Sequence, residues 1–171
     1  MKSSSLLFLL PLSMLIASYN TTANESTNDS VVDEKSKVQQ VFNSYMIKYN
    51  HFITNQELKQ SPVLYADQIM LMTGGKPVIL TPESMNKGVT GFLNGLKEKG
   101  VNKVAWEKVE IKLLAENIAL ASNVAVRYLA NGEVYDRAGA TYFLNKNPKG
   151  WEITAFALHK PESAVSFLPK S

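Results

Sequence analysis

The chain has 171 residues, 45% of them hydrophobic and 19% charged, enough for one domain with a real core. Its net charge of +3 comes from mixed signs, with no basic cluster interleaved with aromatics, which argues against nucleic-acid binding. There is no cysteine, so disulfides and thiolate metal sites are excluded.

The first residues carry an export pattern. Lys2 is followed by an apolar run from Leu6 to Ile16 and then by small residues up to Ala23. That run is shorter than the roughly 20 residues a membrane-spanning helix needs. The pattern predicts a signal peptide over 1–23, export to the periplasm or the medium, and no stable membrane insertion after cleavage. No cysteine follows the run, which excludes lipid attachment there. Residues 24–32 read as a disordered polar tether. Its sequons at Asn24 and Asn28, with Asn20, read as chance matches in a Ser/Thr/Asn-rich stretch.

Asp33 reads as an N-cap. After it, Val38, Phe42, Tyr45, Tyr49, Phe52 and Ile53 recur at helical spacing and predict a helix with one broad apolar stripe. His51, at the stripe's border, reads as a hydrogen-bonding residue. The double glycine Gly74-Gly75 between two short apolar segments predicts a small hairpin, since no phosphate-loop lysine follows. Thr81-Pro82 opens a second helix with a stripe of Met85, Val89, Phe92, Leu93 and Leu96, ended by Gly100. Gly88, Gly91 and Gly95 inside it imply a compensating cause, such as close backbone approach or room for a cavity.

From Val104 to His159 the chain reads as four strands, with turns at Glu116-Asn117, Asn131-Gly132 and the stretch 145–150. An antiparallel meander follows. Two-residue turns would set Arg127 opposite Asp136, Tyr128 opposite Tyr135, Val126 opposite Arg137 and Trp106 opposite Arg127. One face then carries the Val, Ile and Leu residues and reads as the core. On it, Glu107, Tyr128, Tyr135 and Arg137 form either a pocket mouth or a rim ion pair with satisfied tyrosines. The other face carries Trp106, Arg127, Asp136, Tyr142 and many alanines, and reads as a structural ladder covered by a second copy. His159 falls beside Asp136 on that face. A bulge in a long strand would reverse part of this assignment.

This order of elements, with YADQIML from Tyr65, VAVRYLANGE from Val124, GATYFL from Gly139 and KGWEI from Lys149, resembles the NTF2-like superfamily, in particular its SnoaL-like bacterial members. The resemblance spans most of the chain after the leader. It implies an α+β, cystatin-like cone over residues 33–163, a strongly bent antiparallel or mixed sheet wrapped around the long first helix, and a C-terminal tail over 164–171. It also implies a pocket at the cone's open end and homodimers through the outer sheet face. Enzymes of the superfamily, such as ketosteroid isomerases and scytalone dehydratase, place Asp, His or Tyr in the cone, and relatives often have an acidic residue just after the first helix. Here that place holds Asn55, and an amide cannot act as a general base.

The leading expectation is therefore a small, largely apolar ligand held in the cone by Tyr65, Glu107, Tyr128, Tyr135, Arg137 and His159, without catalysis. The alternatives are an acid–base isomerase, dehydratase or hydrolase with Asp67 or His159 as base and Tyr65 or Tyr128 as donor, and a dimeric interaction module. No metal, nucleotide, flavin or haem is expected, because His51 and His159 are the only histidines and no carboxylate cluster accompanies them.

Overall fold

The structure, a computed structural model, describes residues 22–167. The segment read as a signal peptide lies almost wholly outside the described residues. The first helix, α1 (Thr22–Asn55), begins earlier than expected and runs through the stretch read as a tether. Asp33 is thus not a cap but an interior helical residue, ion-paired with Lys37 one turn on. No glycine or proline interrupts the sequence from Thr22 to Asn55, so nothing in that stretch breaks the ladder. α1 stops at Gln56, whose positive φ of 59° lets its N–H reach Phe52 O at 2.7 Å.

Six strands follow: β1 (Tyr65–Met72), β2 (Val78–Leu80), β3 (Val101–Ala115), β4 (Ile118–Leu129), β5 (Val134–Asn147) and β6 (Gly150–His159). A second helix, α2 (Pro82–Glu98), lies between β2 and β3. The spatial order is β2-β1-β6-β5-β4-β3, with β1 parallel to β6 and all other neighbours antiparallel. This is a mixed sheet, curled but not closed, with α1 in its concave side. The expected hairpin pairs Ile69 with Leu80, and the expected meander is β3 to β6.

The helical stripe is the core's centre. Val38 and Phe42 are wholly buried, and Tyr45, Tyr49, Phe52 and Ile53 nearly so. Trp106 Nε1 donates to Phe42 O at 2.9 Å. Asn50 serves β3 like a strand partner, since its amide donates to Val104 O and its carbonyl accepts from Val104 N. Glu34 ties the helix to the β5–β6 hairpin by accepting from Lys146 Nζ and Trp151 Nε1, both at 2.8 Å. In α2, Thr81 Oγ1 caps Ser84 N, and Met85, Val89, Leu93 and Leu96 are buried. Phe92, expected in that stripe, is 43% exposed.

The registers explain which face is inside. β3 carries irregularities near Asn102, Glu107 and Leu114, so Trp106 pairs with Ala125 rather than Arg127. Each extra residue shifts the alternation by one. In β4–β5 the Asn131-Gly132 turn is one residue longer than expected. Gly132 has positive φ, and its N–H reaches Leu129 O, the geometry of a three-residue loop ending in a glycine bulge. A second bulge at Tyr135 cancels the shift. Arg127 therefore still faces Asp136 and Val126 faces Arg137, whereas Tyr128 pairs with Val134. The face of Trp106, Arg127 and Tyr142 is the concave one, packed on α1, so the expected assignment of faces is reversed in β4, β5 and the start of β3; past the Glu107 irregularity, Val109, Ile111 and Leu113 pack on the core as expected.

The convex face is crossed by the chain's own end. After β6 comes a short 3-10 turn (Pro161–Ser163). Val165 N then donates to Ser122 Oγ at 2.8 Å and Phe167 N to Glu110 Oε2 at 2.6 Å. The stretch 164–167 thus straps over β4 and β3, and Ser122 is wholly buried.

Candidate functional site

Between α1, α2 and the concave face lies a cavity of about 320 Å³, within the usual size range of small-molecule sites. Aromatic walls come from Tyr45 and Tyr49 on α1, Phe92 on α2, Trp106 on β3, Tyr142 on β5 and Phe156 on β6. Room for them comes from Ala125, Ala138 and Ala140, small residues on the inward positions of β4 and β5. Trp106 and Tyr142 meet edge to face with centroids 6.3 Å apart, and Tyr142 stacks on Phe156 at 5.5 Å.

Tyr45 donates to, or accepts from, Tyr49 through hydroxyls 2.7 Å apart. Burial raises the pKa of Tyr45 and pushes those of Tyr49, Tyr65 and Tyr142 well above the usual phenol value. These hydroxyls are therefore neutral donors at physiological pH. Tyr65, expected as a ligand contact, is buried on the concave side and stacked on Phe156 but does not line the cavity, and its hydroxyl makes no hydrogen bond among the described residues.

Arg127 is the one charged residue lining the cavity among the described residues. Its Nη1 donates to Asp136 Oδ2 at 2.7 Å, and its guanidinium lies over the Phe92 ring at 5.1 Å.

The other expected site residues lie elsewhere. Glu107 and Arg137 do meet, with Nε to carboxylate distances of 3.0 and 2.8 Å, but on the convex face with both side chains nearly half exposed. Tyr128 sits there too, beneath Lys103 Nζ. Tyr135 is the extra residue of the β5 bulge, exposed and not part of the cavity wall. His159 pairs with Gly139, not Asp136. It borders the cavity, yet its ring lies on the outward side of Gly139, so close that a Cβ there would be 2.4 Å from Nδ1. Nδ1 is 2.8 Å from Lys160 O and Nε2 is 2.9 Å from Thr141 Oγ1. A carbonyl only accepts, so Nδ1 carries the proton and Nε2 accepts from Thr141 in the neutral ring. Asp67 and Asn55 are exposed.

Sequence reasoning assigned Tyr45, Tyr49, Trp106, Arg127 and Tyr142 to core or ladder roles. The signal that marks them is the alternation of alanine with large aromatics on one face, which is space as much as packing. Among the described residues no group of His, Cys, Asp or Glu could hold a metal ion, and no helix is long and apolar enough to cross a membrane.

A curled mixed sheet cupped around a long helix, with a cavity at one end, is the cystatin-like cone. The chain belongs to the NTF2-like family: the model described as NTF2-like protein (DUF6841) matches residues 33–161. An NTF2-like protein with a cystatin-like fold from Novosphingobium aromaticivorans has a TM-score of 0.60 at 8% identity, covering 85% of this chain and 93% of that one. A protein from the same organism provisionally assigned as a scytalone dehydratase gives 0.55 at 10% identity, covering 84% and 94%. One from Shewanella frigidimarina provisionally assigned as a ketosteroid isomerase gives 0.52 at 18% identity, covering 70% and 92%. At these identities the likeness is one of fold. No curated protein matches the chain.

Proposed function

We propose that this is an exported protein that holds a small, largely apolar molecule in its cone and performs no acid–base chemistry on it. The observation that supports this most is the cavity itself. Its walls are aromatic and aliphatic, its tyrosines are held neutral, and among the described residues no carboxylate lines it and its one imidazole, His159, is engaged at both nitrogens. A general base needs hydrogen-bond reach of the proton it takes. Asp67 is exposed and both nitrogens of His159 are engaged.

Native mass spectrometry of the protein purified from its own source tests the reading. A bound small molecule that disappears in Ala138→Trp supports it. An empty protein that also takes up no apolar compound in solution sinks it. Export rests on the N-terminal pattern, and N-terminal sequencing of protein from the periplasm or medium checks it. A chain beginning near Asn24 is expected, and one confined to the cytosol with Met1 intact would refute it.

The second reading, an acid–base enzyme, is favoured by the provisional assignments of two structural neighbours. If it held, His159→Ala would abolish turnover of a substrate once found. The homodimer expected through the outer face has to form beside the strap of residues 164–167, on surface that includes the exposed Tyr135 and Phe143. Sedimentation of the protein decides it, and a monomer at all concentrations excludes it.

A further inference from the structure

Arg127 is an odd residue to find on such a wall. Only 15% of its side chain is exposed, and a guanidinium removed from water needs partners for its five N–H donors. Asp136 takes a single one, through Nη1. Among the described residues no other side-chain hydrogen bond engages the guanidinium, and its face is occupied by Phe92. The Asp136 side chain is 39% exposed and does not line the cavity; its Oδ2 is held by Arg127 while its Oδ1 is buried without a partner among the described residues. The result is an anchored cation on an otherwise apolar cavity, with most of its planar fork unused.

We propose, granted the cone-binding reading above, that the occupant is an amphiphile: an apolar body with one carboxylate, the carboxylate taken by the free edge of Arg127. Planar bidentate recognition of a carboxylate is what a guanidinium fork does best. The Asp136 contact fixes the guanidinium in place, so little side-chain freedom is lost on binding. The body extends toward Trp106, Tyr142 and Phe156, into the room left by Ala125, Ala138 and Ala140. An ammonium head is repelled by the guanidinium, because Asp136, already paired with Arg127, does not line the cavity. A hydroxyl head accepts one hydrogen bond without the charge.

The test is calorimetric titration of the protein with decanoate, decanol and decylamine, which share a tail and differ in head charge. Decanoate binds about tenfold more tightly than decanol, the worth of one charge-assisted hydrogen bond, and decylamine binds most weakly. Arg127→Met brings decanoate down to the level of decanol or below, while decanol changes by less than about twofold. Because Arg127→Met strands Asp136, the double variant Arg127→Met/Asp136→Asn is measured beside it and shows the same loss. Equal affinity for decanoate and decanol in the unaltered protein, or a preference that survives both variants, overturns the carboxylate assignment and leaves the cone reading standing. Absence of binding by all three, or binding that persists in Ala138→Trp, overturns the cone reading and this inference with it.

Discussion

Tyr142 and Phe143 are adjacent aromatics on one strand with opposite fates. Tyr142 points to the concave side, 2% exposed, within ring contact of Phe42, Tyr45, Trp106 and Phe156. Phe143 points to the convex side and is 43% exposed. The same contrast runs along the sheet. The concave face is built from small residues and aromatics, with one ion pair at the cavity, Arg127–Asp136. The convex face carries the open pair Glu107–Arg137 and is partly covered by the chain's own C-terminal strap. The lesson is that side-chain size is a poor guide to burial when the partner is a helix rich in bulky residues. α1 supplies the volume, and the sheet supplies the space.

The sharpest way to break that contrast is to truncate both aromatics. Tyr142→Ala should cost about 3 kcal/mol or more, since it empties a packed aromatic site. Phe143→Ala should cost under about 1 kcal/mol. Urea unfolding of the two variants checks this, and equal costs would mean that the faces are misassigned. Next in size is Gly139→Ala. Its Cβ would sit 2.4 Å from His159 Nδ1 and 2.7 Å from Lys160 O, so the ring and the start of the strap must move, at a cost of about 1–3 kcal/mol. Loss of hydrogen-exchange protection at Val165 and Phe167, ahead of the concave core, locates the damage on the convex side.

Acid probes the anchor of α1 on the other side of the sheet. Lys146, then Lys37 and Trp151, hold the Glu34 carboxyl at about 2, below its ordinary 4.5. A carboxylate lowered in this way stabilises the fold above its unfolded value and ceases to do so as pH falls through the folded one. The contribution is therefore present at neutral pH and lost between about 4.5 and about 2. Glu34→Gln should lower the melting temperature at neutral pH and flatten its fall between about pH 5 and pH 3. An unchanged acid profile would remove Glu34 from the anchor.

The smallest effects separate α2's glycines from the cavity. A Cβ at Gly91 or Gly95 meets nothing within 4 Å, so neither close approach nor packing accounts for them. Alanine at each should stabilise by about 0.5–1 kcal/mol through helix propensity and leave ligand uptake unchanged. Gly88 lines the cavity, so Gly88→Ala should add similar stability while narrowing the site. Thermal melts with and without ligand distinguish the three.

The alternating runs and their turns were enough to order the elements and to place the β1–β2 hairpin; Arg127 meets Asp136 as expected, but through a longer turn and a bulge that cancels it. The 3.6-residue stripes named the buried faces of α1 and most of that of α2. Phe92 escaped because a helix stripe does not reveal that a cavity lies beneath part of it. The site was legible only in fragments. Tyr65 lies on the concave side but does not line the cavity, Glu107, Tyr128, Tyr135 and Arg137 were expected there and lie outside it, and His159 borders it from the outward side of Gly139.

By itself the sequence determined the local matters: helical stripes, turn positions and the run of strands. Those depend on neighbours a few residues apart. Which face of the meander is the inside was decided only by the tertiary structure. Both faces of β4 are buried, one beneath α1 and the other flanked by the strap, so hydrophobicity could not choose between them. The bulges in β3 and the compensating bulge in β5 set the phase of every side chain beyond them. No residue pattern announces a bulge that exists because a long sheet must curl around a helix.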